Sequence, residues 1–499
     1  MADYDVIVIG AGLGGLSAGA LLSAQGRKVL ILEQSQRIGG CCSSFERDGF
    51  RFDVGASIVE IIKPIEDVFK KLGTTLQAEI DLIPCDPVMS VMHRDGSNLT
   101  IPFSLEKTGE LIRSISTEDG RHWDDFVEFC AEMADISLDT FFEMPADSML
   151  DMLKMVNRQP RLVKYLPVFL SSYQQILEHF FKDERVLQCM GYQSLYFGLP
   201  PALVPGPYAM IPYTEQMGIY YPCGGMIQIP TALLRVGKKF GLQIRYNSLV
   251  SKVIVRGHRA VGVQLEDGSE ISASVIVSDI NAKTLYLKLI GDEYLSMLSR
   301  KGIRSYAYSK AVPMLYLGVD FEPSLESHHN LIAATPEDIN QYWWKHVETG
   351  QLDYETVGLV CWPTRTDPSL APEGHHVLNI IPEGFYHLAD ENWDSIKDAF
   401  IEKEIDYYSK FAIPGLKDHV RFAECATPLD FERQLQLPEG SIYALQQDIT
   451  AQAIFRPAAR SKNIHGLYLV GASTHPGGGV PSTIASGLIA STLIQTFED

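Results

Sequence analysis

Asp5-Val6-Ile7-Val8-Ile9-Gly10-Ala11-Gly12-Leu13-Gly14-Gly15-Leu16-Ser17-Ala18-Gly19, followed by Lys28-Val29-Leu30-Ile31-Leu32-Glu33, decides how the rest of the chain is read. The uncharged Val/Ile run has the composition of a strand buried on both faces, as in a parallel sheet. The glycines that break it supply a tight turn, close approach of the backbone to a ligand, and close packing of the helix that follows. GxGxxG alone is a weak signal. Here it follows a strand, opens a small-residue helix and is answered by Glu33 at the end of a second strand, so it reads as a dinucleotide-binding fingerprint. The helix N-terminus offers free N–H groups and partial positive charge to a pyrophosphate, and Glu33 stands where ribose hydroxyls would donate.

The later segments indicate which dinucleotide. Arg37-Ile38-Gly39-Gly40 and Phe50-Arg51-Phe52-Asp53-Val54-Gly55-Ala56 come next. Near the far end, Gly466-Leu467-Tyr468-Leu469-Val470-Gly471 leads through Ser473-Thr474-His475-Pro476 to Gly477-Gly478-Gly479-Val480-Pro481. A nicotinamide domain closes its site within one contiguous block, so a strand–glycine–helix unit that returns at the C-terminus favours a longer cofactor, FAD. No second strand–GxGxxG–helix block is present for NAD, and the expected electron acceptor is oxygen or a quinone.

The motifs taken together resemble a family. The fingerprint, Gly39-Gly40, Tyr221-Pro222-Cys223-Gly224-Gly225-Met226, Val275-Ile276-Val277-Ser278-Asp279 and Thr474-His475-Pro476-Gly477-Gly478-Gly479-Val480-Pro481 are similar to those of the bacterial and fungal type of phytoene desaturase. That superfamily of FAD-dependent oxidoreductases also holds carotenoid isomerases and retinol saturases. The resemblance implies a Rossmann-like, glutathione-reductase-like FAD domain of the α/β class, interleaved with a mixed-sheet substrate domain and a helical, membrane-associating lobe. It implies FAD contacts at Gly10, Gly12, Gly14, Gly15, Glu33, Gly39, Gly40, Val250 (backbone to adenine), Gly471, Val480 and Pro481. The implied reaction is desaturation of a linear carotenoid precursor, a long apolar polyene. Isomerisation or retinol-type saturation is the alternative, and a non-catalytic prenyl-lipid carrier of the Rab escort kind is a more distant one. Cys41 stands where many relatives carry arginine or another polar residue, and Cys223 where an arginine is common.

The 499 residues are long for one core, so two or more lobes are expected, and the 46% hydrophobic content is that of a globular protein. A formal charge of -20 disfavours nucleic acid and offers no overall attraction to anionic lipid, which leaves hydrophobic membrane contact. Met1 to Asp5 carries no positive n-region, and no run of about eighteen unbroken apolar residues appears, so the chain is expected to be cytoplasmic and at most peripheral to a membrane. The eight cysteines show no metal-like spacing, and the adjacent Cys41-Cys42 is poorly suited to a disulfide.

From Glu106 to Arg185 apolar residues recur at three and four, as at Phe126, Phe129, Cys130 and Met133, and again at Met149, Met152, Leu153 and Val156. Val186 to Thr214 then holds no charged residue but five prolines, which rules out one long helix. With Tyr165 to Leu170 it is expected to form the substrate tunnel and its membrane-facing mouth. A helix over Met226–Phe240 and strands from Leu242 to Val277 return to the flavin domain. Beyond Leu285, strands at 314–319, 358–362 and 377–381 and a helix over 394–411 suggest a sheet walling the cofactor. The expected domains are 1–80, 216–284 and 464–499 for FAD, 81–105 and 285–463 for the substrate sheet, and 106–215 for the helical lobe. No Ser-His-Asp order, paired carboxylates or metal cluster can be placed, which fits a cofactor that carries the hard step. His475 is the first residue to test as a proton acceptor, but a loop-fixing role is the stronger reading, so no catalytic residue is assigned. The oligomeric state is left open.

Overall fold

In the computed structural model the described residues are 2–93, 96–332, 336–347, 349–354 and 358–498. Strand β1 (Tyr4–Ile9) runs into the glycine turn, the first helix (Leu13–Ala24) and β2 (Val29–Leu32). Four further strands join them after long excursions: β3 (Gln243–Arg245), β4 (Val250–Arg256), β5 (Arg259–Leu265) and β6 (Glu270–Ser278), with β7 (Leu467–Leu469) last. The order is β3-β2-β1-β6-β5-β4, with β7 also on β6. The long β6 explains the branching. Its second half pairs in parallel with β1 and β7, while its first half closes an antiparallel meander with β5 and β4. Val6 to Ile9 are fully buried or nearly so, as an uncharged parallel strand requires.

The first helix is covered on all sides, which is why its sequence is small and apolar throughout. The C-terminal helix (Val480–Glu498) lies against it so closely that a Cβ at Gly487 would come within 2.7 Å of the Gly14 carbonyl oxygen. Ser17 donates to the Ile484 carbonyl at 3.0 Å across the same contact. Among the described residues this is the helix long and apolar enough to cross a membrane, but half of that stretch is buried in the fold.

A second seven-stranded sheet runs in the order 420–426, 314–319, 376–382, 358–361, 329–332, 89–92, 98–101. Its pairs are antiparallel except for 329–332 on 89–92. The helix Trp393–Phe411 covers one face through Trp393, Phe400 and Tyr408. Val59–Glu60, Ile219–Pro222 and Leu82–Pro84 form a separate three-stranded sheet, with Ile219–Pro222 in the middle.

The helical lobe is built from Leu105–Ile115, Thr117–Asp139, Met149–Arg158, Tyr173–Phe180 and Glu184–Gly191. Phe126, Cys130 and Met133 face its core as the periodicity predicts. The second apolar set does so only in part, through Met152 and Val156. Met155 is the buried side chain of the helix Met149–Arg158, whereas Met149, Leu150 and Leu153 are exposed. The uncharged Val186–Thr214 stretch is mostly buried, in short helical turns broken at its prolines. Of the expected tunnel and mouth, this stretch takes the tunnel side: without charges it lines the interior, as desolvation favours.

Candidate dinucleotide and substrate site

One cavity of about 1030 Å³ runs from the glycine turn to the apolar stretch of the helical lobe. Gly10, Gly12, Gly14, Glu33, Gly39, Gly40, Val250, Gly471, Val480 and Pro481 all line it, drawn together from four separated parts of the chain. Gly15 does not line it. It lies beneath the turn, where a Cβ would stand 2.3 Å from the Gly10 carbonyl oxygen, so its role is close helix packing.

The turn forms a cradle that side chains would fill. An ideal Cβ on Gly12 would lie 2.5 Å from Asp279 Oδ2, and one on Gly14 would lie 2.5 Å from the Gly471 nitrogen. Glu33 is fixed by N–H donors from Ala11 and Ser35, each at 2.9 Å, and Ser248 donates to its carbonyl at 2.8 Å, which brings Val250 alongside. Gly39 donates to the Ala11 carbonyl at 2.8 Å, holding the doublet over the turn. The C-terminal return is held by Gly471 N–H on Ser486 Oγ at 2.7 Å and by Gly478 N–H on Gln447 Oε1 at 2.9 Å. The buried Arg456 donates to the Ala472 carbonyl at 2.5 Å. A helix N-terminus, a ribose-side carboxylate and a glycine-lined groove fit a dinucleotide.

Asp279 sits at the centre of this cradle. Its Oδ2 accepts from Gly15 N–H at 2.9 Å, and its pKa is raised to about 7, by burial first and then by the charge of Glu33, against the N–H donors of Gly15 and Gly12. Asp53 does similar work one layer out. It accepts from Tyr221 Oη at 2.5 Å and Met226 N–H at 2.9 Å, tying Phe50–Asp53 to the Gly224-Gly225 turn, and burial raises it to about 7.

Cys41 lines the cavity and burial pushes its thiol up to about 12; Cys42 is buried with its Sγ on the Met226 carbonyl at 3.4 Å, and its thiol is pushed up by the same cause. Neither is disulfide-bonded, and neither has the lowered pKa of a reactive thiol. His475 lies outside the cavity lining, buried with its ring 5.9 Å from that of Phe141, and burial lowers it to about 4. It fixes the loop.

Beyond the doublet the cavity widens between Leu195, Tyr196, Phe197, Leu199 and Ile211 on one side and Tyr316, His329 and Leu359 on the other. Its polar residues escaped notice in the sequence. Glu60 and His329 line it, and Glu215 stands behind Tyr196. One signal was available: Glu215 is the first charge after the uncharged stretch. Nothing comparable marks Glu60 or His329, which the strands Val59–Glu60 and His329–Ile332 bring in from distant segments.

The likeness to known proteins follows the same plan. A phytoene desaturase of Myxococcus xanthus that forms zeta-carotene is 28% identical over 501 residues, covering 99% of this chain and 94% of that protein. A neurosporene-forming phytoene desaturase of Rhodobacter capsulatus is also 28% identical, over 98% of this chain and 93% of that protein. An oxidoreductase of Methanosarcina mazei shares the fold, with a TM-score of 0.62 at 19% identity over 98% of this chain and 99% of its own. The profile of the flavin-containing amine oxidoreductases matches residues 13–495, from the start of the first helix into the C-terminal one, and the chain is therefore an FAD-dependent oxidoreductase of that family.

Proposed function

We propose that the protein removes hydrogen from a long linear polyisoprenoid of the carotenoid-precursor class and so creates a carbon–carbon double bond. The observation that carries this reading is the continuity of one cavity from the glycine cradle into the uncharged tunnel wall of residues 195–211. In this reading Gly10, Gly12, Gly14, Glu33, Gly39, Gly40, Val250, Gly471, Val480 and Pro481 hold FAD, with Gly15 keeping the helix close beneath it. FAD, when bound, supplies the two-electron acceptor. The chain's own part is to thread an apolar substrate past it, exclude water and take up a proton. Reoxidation falls to oxygen or a quinone.

The substrate is insoluble in water, so it is taken from a bilayer. Support comes from the exposed side chains Met149, Leu150, Leu153, Val163, Leu166 and Leu170, of which Leu170 is 80% exposed. The basic residues among them are already paired: Lys154 with Asp151 at 3.2 Å, Arg158 with Asp139 at 3.0 Å, Lys164 with Glu132 at 3.0 Å, and Arg161 with Asp135. That leaves apolar contact as the binding term, at about 1 kcal/mol for each side chain immersed. The free state of all eight cysteines fits a reducing, cytoplasmic side of that membrane.

The test is purified protein with lipid-dissolved phytoene, followed by pigment absorption and chromatography, and by flavin absorbance under anaerobic mixing. Bleaching of the flavin together with a product two hydrogens poorer supports desaturation. A polyene that changes geometry at constant hydrogen count, with activity only after pre-reduction of the flavin, would make the enzyme an isomerase.

A further inference from the structure

Behind Tyr196, which lines the cavity, lies a cluster of buried polar groups. The Tyr196 hydroxyl donates to Glu215 Oε1 at 2.9 Å; Tyr192 Oη and Gln193 Nε2 donate to Oε2 at 2.8 and 3.0 Å. Glu215 is 1% exposed, and among the described residues no cation is recorded against it. Three donors on one carboxylate make a site built for a negative charge, placed where a charge is expensive and a Gln or Met would pack more cheaply. Two nearby groups are left unsatisfied. Glu60 lines the same cavity with a buried, unpartnered Oε2, and His329 holds Ser57 Oγ at 2.9 Å through Nε2 while its buried Nδ1 has no partner. The His329 ring lies 6.5 Å from that of Tyr196. A cluster this polar in a tunnel for hydrocarbon needs a chemical reason.

We propose that Glu215, acting through the hydroxyl of the cavity-lining Tyr196, is the proton acceptor of the oxidation. This rests on the dehydrogenation reading above. FAD, when bound, would supply the two-electron acceptor for the hydrogen that one substrate carbon loses as hydride. The neighbouring C–H bond breaks, its electron pair becomes the second bond of the new double bond, and its proton goes to the Tyr196 oxygen as Tyr196 passes its own proton to Glu215 Oε1. Tyr196 is thus the group in contact with substrate and Glu215 the reservoir behind it.

The groups facing Glu215 decide its charge. Tyr192, Tyr196 and Gln193 favour the ionised form; Tyr173 reaches it only through Gln193 Oε1, at 2.9 Å; Glu60 opposes it as a like charge. Burial holds both carboxyls above the usual range, and two buried negative charges that repel one another are disfavoured, so the two ionise one after the other. With three donors, Glu215 is the ionised member. Accepting the substrate proton then removes the one charge buried in the cluster, which favours the transfer.

The experiment is single-turnover flavin reduction by lipid-presented phytoene, from pH 5 to 9, in wild type, Glu215→Gln and Tyr196→Phe, with FAD stoichiometry and melting temperature measured on each. The wild-type rate should rise with pH through a midpoint above the ordinary carboxylate range. Glu215→Gln should lower it by about a hundredfold or more and abolish that rise while FAD is retained. Tyr196→Phe removes one oxygen from the cavity wall and should lower the rate at least tenfold with FAD retained, which decides the matter if Glu215→Gln fails to fold. A wild type that never bleaches on the polyene overturns the dehydrogenation reading itself. A wild type that bleaches, with Tyr196→Phe or a folded Glu215→Gln matching its rate and pH profile, overturns the relay alone.

Discussion

Asp279 places a carboxylate against the glycine turn that a pyrophosphate would approach, with Oδ2 2.5 Å from where a Gly12 Cβ would stand, and Asp279→Asn is the substitution with the most to reveal. Its pKa goes from 3.8 to about 7 because burial and Glu33 disfavour the ionised form. A carboxyl whose folded pKa is raised destabilises the fold where it must ionise. The penalty is absent below about pH 4, grows through the range up to about 7, and is complete above it, reaching at most roughly 4 kcal/mol at about 1.4 kcal/mol per unit. An approaching pyrophosphate adds a further like charge, so FAD is bound best with Asp279 protonated. Above pH 7 each unit then costs about 1.4 kcal/mol, or tenfold in affinity. Asn keeps an acceptor for the Gly15 N–H, now 2.9 Å from Oδ2, without the charge. Titrating deflavinated protein with FAD and following fluorescence quenching from pH 6 to 8.5 should show a dissociation constant that climbs above neutrality in wild type and stays flat in Asp279→Asn, leaving the variant about thirtyfold tighter at pH 8.5. A wild-type dissociation constant independent of pH, or a variant that no longer binds FAD, would refute the reasoning.

Gly12→Val should abolish FAD binding, since even the first carbon of the new side chain would lie 2.5 Å from Asp279 Oδ2; the ratio of flavin to protein absorbance reads this directly. Leu166→Asp with Leu170→Asp should release the protein from neutral liposomes in flotation at any salt concentration and leave FAD content unchanged. Phe169 is left alone because its ring packs on Phe141 at 5.5 Å, and a double variant that still floats would exclude this face. His475→Ala should lower the melting temperature by several degrees, by loss of its buried packing, with the pH profile of flavin reduction unaltered; loss of that profile would return His475 to the catalytic candidates.

The flavin end was legible because its constraints are local. A strand, a turn that admits no Cβ and a helix N-terminus are consecutive in sequence, so Tyr4 to Ala24 announces itself, and the return at Leu467 to Pro481 repeats the signal. The expected helix over 394–411 and the strands at 314–319, 358–362 and 377–381 were readable for the same reason, each carrying its own periodicity. What sequence could not give is burial decided by tertiary partners. Met149, Met152, Leu153 and Val156 have helical spacing, yet the lobe buries Met155 and leaves Met149 and Leu153 exposed, because the face that a short helix at the edge of a lobe buries is set by what packs against it. The same limit hid the polar cluster. Glu60 comes from a two-residue strand whose place is set by pairing with Ile219, and His329 from a strand set by residues 89–92 and 358–361, so their approach to Tyr196 has no trace in local spacing. Asp279 was quoted in a motif yet read as structure, since only the packed fold shows that its side chain, and not its backbone, reaches the first helix 264 residues earlier. Chemistry in this chain therefore lies where distant segments converge, while the cofactor's cradle lies where neighbouring residues suffice.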